Sequence, residues 1–72
     1  MNLKIGDKVL RILPPSEHWH AFVHHAEVIE ITKTTVLCTV VIDSPRRMEF
    51  NKDTGTNINK DFNDFIIRMP KI

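Results

Sequence analysis

The chain has one cysteine, two glycines, one tryptophan and no tyrosine in its 72 residues. Cys38 alone can form no intramolecular disulfide, nor supply the two or four thiolates of cysteine-based zinc sites. The two glycines, Gly6 and Gly55, cannot build a glycine-rich phosphate loop. No apolar run approaches the roughly 18 residues of a membrane span. The opening Met-Asn-Leu-Lys-Ile-Gly-Asp lacks the apolar stretch of a secretory leader. Ten Lys/Arg against nine Asp/Glu leave a net charge of +1, without the basic excess of a dedicated non-specific nucleic-acid binder. No Ser-His-Asp or Cys-His arrangement is legible, and a chain this short leaves little concave volume for a substrate. The expectation is a soluble, cytoplasmic, non-enzymatic protein that needs no cofactor and no membrane.

What is present is β-branched. Residues 26–32 and 35–42 are apolar on both sides of what must be strands: Ala26, Val28, Ile29 and Ile31 in the first, Val36, Leu37, Val40, Val41 and Ile42 in the second. A small isolated sheet needs only one apolar face. Two-sided strands therefore imply a closed barrel, or a surface that something else covers. One domain over 1–72 is near the lower limit of a self-sufficient core, since a chain of this size buries roughly 60% of its unfolded surface.

Five strands are expected. The first covers 3–13, with Gly6 freeing the backbone for a kink, and Pro14-Pro15 ends it. A loop over 14–21 follows. The second strand covers 22–32, where the parity of Val23, Ile29 and Ile31 conflicts with that of Ala26 and Val28. A β-bulge near residues 27–30 would reconcile them. Lys33-Thr34 makes a tight hairpin into the third strand, 35–42, and Asp43-Ser44-Pro45 turns the chain into a fourth, 46–51, with Met48 and Phe50 inward. After a turn at 52–55, residues 59–64 read as one helical or 3₁₀ turn capped by Asn59. A fifth strand covers 65–69. This order predicts an all-β, five-stranded SH3-like barrel with a short helical turn before the last strand.

Leu3-Lys-Ile-Gly-Asp-Lys-Val-Leu resembles the opening strand of SH3-like and KOW-type barrels. The stretch from Ala26 through Val28 and Ile31-Thr-Lys-Thr-Thr-Val36 to Arg47, Phe50, Asn51 and Thr54-Gly55 is similar to small, mostly uncharacterised barrel proteins encoded by bacteriophages. The resemblance implies a phage or mobile-element origin, a barrel fold and residence in the host cytoplasm. It carries over no active-site residue, because the shared motifs make the fold.

Three constellations could carry function. Trp19 is the only tryptophan, a residue type enriched in binding hot spots, and with His20 and Phe22 it could wall a protein-binding groove; equally, it could fold back and cap the barrel end. Leu37 and Val41 would extend a protein-binding surface on the outer face, and homodimerisation through Leu37, Thr39 and Val41 would use the same surface and could coexist with partner binding. Lys33, Arg46, Arg47 and Lys52 would serve a nucleic-acid partner, guanidinium forks being suited to phosphates. His18, His20 and His24 share parity and would be the ligands if a metal bound, although all four histidines lie between 18 and 25, whereas metal sites usually draw on separate elements. Asp53-Thr54-Gly55 matches the triplet of aspartic proteases, but its neighbours Asn51-Lys52 and Thr56-Asn57 are solvated residues, and a turn with glycine at positive φ explains it. The leading expectation is a protein-interaction module that binds a host protein.

Overall fold

A computed structural model describes residues 2–70 of the chain. Its strands are β1 (Lys8–Leu13), β2 (Phe22–Ile31), β3 (Thr35–Val41), β4 (Pro45–Asn51) and β5 (Phe65–Arg68). They form one antiparallel sheet in the order β4-β3-β2-β1-β5. The described residues contain no helix, and none is long and apolar enough to cross a membrane.

One face of the sheet carries the core. Val9, Ala26, Val28, Val36, Cys38, Val40, Phe50 and Ile66 are buried there, joined by Leu3 from the segment before β1. The parity conflict in β2 is resolved as expected: the β2–β3 register shifts between Val28 and Glu30. Ile29 is thereby left out of the ladder, so Ile31 pairs with Val36 on the same face as Ala26 and Val28.

The first strand begins later than the sequence suggests. Residues 3–7 are not strand, because Gly6 takes φ 93° and Asp7 folds back on Lys4. The Asp7 amide donates to the Lys4 carbonyl (3.0 Å) and the Lys4 amide to Asp7 Oδ2 (2.8 Å). The turn nonetheless stays tied to β2, with the Gly6 amide on the Val28 carbonyl and the Val28 amide on that of Asp7.

The expected helical turn at 59–64 is also not a helix. A single turn forms, the Phe62 amide donating to the Asn59 carbonyl, while Asn59 Oδ1 accepts from the Asp61 amide. Asn59 thus caps a turn that is not continued, since Asp64 is drawn inward instead. Before it, Gly55 turns the chain at φ 79°, and Asn51 Oδ1 holds the Asp53 and Thr54 amides. Thr56 and Asn57 then bridge Phe65 and Phe50, touching the end of β4 and the start of β5.

Candidate functional site

Trp19 is held outward by its own loop. Ser16 and Trp19 exchange backbone hydrogen bonds (3.1 and 3.4 Å), and Ser16 Oγ accepts from the His18 amide. The indole stays 66% exposed, so it does not cap the sheet. Phe22, at the start of β2, is 45% exposed and stacks parallel on His24, ring centroids 6.4 Å apart. Between Trp19 and Phe22 lies a mostly apolar groove of about 440 Å³, completed by Leu13, Pro14, Ser16 and Asn63. His20 lines a separate, more polar recess with Ser16, Glu17, His18 and Trp19.

A polar group built on Arg11 and Asp64, which the sequence reading did not single out, ties β1 to the segment before β5. Arg11 and Ile66 are paired across β1 and β5, and Arg11 shares the core face with Val9. Its Nε donates to Asp64 Oδ2 at 2.7 Å, both side chains being almost wholly out of solvent. Asn57 Nδ2 donates to the other carboxylate oxygen at 2.9 Å. Arginine has donors only, so the 3.1 Å contact between Arg11 Nη1 and His24 Nδ1 makes that ring nitrogen the acceptor. The arrangement clamps the loop before β5 to the sheet. Its one sequence signal is parity: position 11 falls on the side of Val9 and Leu13, where an apolar residue would be expected.

The basic residues are not brought together. Lys33 and Lys52 lie at the end of the sheet where the Lys52 amide meets the Thr34 carbonyl. Arg46 and Arg47 lie at the other end of β4, opposite Val40 and Thr39, some five or six residues and so roughly 20 Å away. Adjacent in the strand, the two arginines face opposite sides. The histidines separate too: His24 joins Arg11 and Phe22, whereas His18 and His20 stay in the Trp19 loop. Among the described residues no three His, Cys, Asp or Glu gather as a metal site requires.

On the outer face, Leu37 is half-buried and Val41 is 54% exposed. Val41, with Thr39, Lys8, His25, Glu27 and Met69, lines a shallow depression of about 600 Å³. The Lys8–Glu27 ion pair crosses it. Cys38 faces the opposite way into the core, where burial pushes its thiol up to about 11. No family model, curated protein or solved structure matches the chain.

Proposed function

We propose that this chain is a non-enzymatic protein-interaction module built on an SH3-like barrel, a phage or mobile-element accessory factor that binds and modulates a host protein in the host cytoplasm. The strand order β4-β3-β2-β1-β5, with Thr56 and Asn57 bridging between β4 and β5, supports the barrel. The observation that carries the function is the exposed Trp19. A chain with one tryptophan and little core to spare keeps its largest apolar side chain in water, over a groove shared with Phe22. Burying such an aromatic against a partner gives the strongest contacts that interfaces contain.

The test compares capture from bacterial lysate by the native chain, Trp19→Ala, Phe22→Ala and, as a control, Lys33→Ala. A partner retained by the native chain and the control, and lost from both aromatic variants at unchanged melting temperature, is the expected result. Equal capture by all four would end the reading. A nucleic-acid role would rest on Arg46 and Arg47 alone, because Lys33 and Lys52 lie at the far end of β4. Its signature would be duplex binding that falls steeply with salt.

A further inference from the structure

The edge of β4 is half covered. Along an antiparallel strand, successive residues turn their amide and carbonyl alternately toward one neighbour and the other. The Asn51 amide donates to the Thr56 carbonyl (2.7 Å) and the Glu49 carbonyl accepts from the Ile58 amide (3.2 Å), so odd-numbered positions of β4 face away from β3. After Ile58 the covering segment peels off into the turn at 59–62. The Glu49 amide, both backbone groups of Arg47 and the Pro45 carbonyl then continue the same edge, and among the described residues no backbone partner meets them. Where the segment departs, a slot of about 250 Å³ opens between β4 and the turn, its walls including Arg47, Met48, Ile58, Asn59 and Phe62.

We propose that this edge accepts an extended, acidic segment of a protein partner as an added strand, prolonging the line begun by Thr56–Ile58. The proposal rests on the protein-interaction reading but not on the Trp19 groove. Strand addition draws its affinity from main-chain hydrogen bonds and its selectivity from the side chains alongside. Here those side chains are Pro45, Arg46, Arg47 and Met48, with both arginines exposed, one on each face. The carboxylate of Glu49 also lines the slot, accepting a hydrogen bond from the Thr35 hydroxyl, and its charge offsets one of the two arginines. Arg11 at the slot's floor is matched by Asp64. Two guanidinium groups against one carboxylate leave the open edge net positive. A second copy is the poorer occupant, since two-fold pairing of the same edges sets arginines against arginines, and like charges across a ladder are destabilising. An incoming strand with adjacent carboxylates meets one arginine on each face.

The probe is a capped octapeptide with a central Glu-Glu pair flanked by Val and Thr, titrated into ¹⁵N-labelled full chain. Downfield shifts confined to the Arg47 and Glu49 amides and their neighbours are expected, with hydrogen exchange at both slowed on saturation. Arg46→Glu with Arg47→Glu, at exposed edge positions that should not disturb folding, weakens binding by on the order of tenfold at low salt. Trp19→Ala leaves it unchanged. The proposal is overturned if the peptide leaves those amides unmoved, or if a Lys-Lys peptide or one N-methylated on alternate amides binds equally well. It also falls if a DNA or RNA duplex, and not the peptide, moves residues 45–49, or if sedimentation shows the free chain dimerising through β4. Loss of this binding with Trp19-dependent capture intact would remove the edge and leave the groove standing; the reverse result would remove the groove alone.

Discussion

Arg11 and Asp64 are 53 residues apart in sequence and 2.7 Å apart in space, and among the described residues they are the two charged side chains that the fold buries. Removing one partner of such a pair strands the other without compensation, at a cost of about 3–5 kcal/mol. Asp64→Ala is therefore expected to lower the urea midpoint severely, while Arg11→Met combined with Asp64→Leu regains most of the loss. A cost below about 1 kcal/mol for Asp64→Ala would show that the clamp contributes little. Parity marks Arg11 as out of place, but nothing in the sequence names its partner, since only tertiary folding brings Asp64 to it. Cys38 lies among the valines and leucine of β3, a setting in which a thiol packs as a small hydrophobe, and it is buried in the core. Its raised pKa has a definite sign: the unfolded thiol ionises near 9.0 while the folded one holds its proton to about 11. Stability from this group is complete below pH 9 and is lost between those values, by about 1.4 kcal/mol per pH unit. Cys38→Ala should flatten that alkaline decline, and iodoacetamide at pH 8 should label the native protein only as fast as it unfolds.

At the level of elements, the places where the backbone departs from regular strand were the most readable. The bulge in β2 follows from a clash of parities that no straight strand can satisfy. Gly55 follows from a polar turn that demands a left-handed residue. The reading of 3–7 as strand failed because apolar Leu3 reaches the core from just before the turn at 4–7, a placement that alternation alone cannot distinguish from strand. The β2–β3 hairpin solves a different problem. Lys33-Thr34 has no residue at positive φ, so the usual tight hairpin turn is not used. Instead Thr32 Oγ1 accepts from the Thr35 amide at 2.9 Å, while the Thr32 amide donates to the Thr35 carbonyl. Thr32→Val keeps the shape and removes that acceptor, and should cost about 1 kcal/mol in a denaturant titration. Gly55→Ala should cost about 1–2 kcal/mol, since it forces a side chain into the left-handed region. It would also strain the Gly55 carbonyl's bond to the Ile66 amide, on which the start of β5 hangs. If either variant unfolds at the native midpoint, the corresponding turn is not what fixes its strands.

Across the whole molecule, the two-sided strands posed a choice between closure and a covered surface, and the sheet separates the two faces sharply. Val36, Cys38 and Val40 are sealed in the core while Val41 at the end of the same strand stands in solvent. Trp19, Phe22 and Val23 are exposed as well, so much of the chain's large apolar surface contributes nothing to its own core. Side chains that stay in water in the native state gain little by folding, and truncating them costs little. Trp19→Ala should therefore leave the melting temperature of the free protein almost unchanged. Native Trp19 fluorescence should resemble that of indole in water, be quenched freely by iodide, and shift little on unfolding. A blue-shifted, unquenched native emission would mean that the indole is already packed, and the groove it forms with Phe22 would then be closed to any partner. The opposite pattern, water-like emission that moves to the blue when a partner is added and stays put in Phe22→Ala, ties the exposure of this residue to binding rather than to stability, because the same burial that the fold forgoes would then occur at the interface.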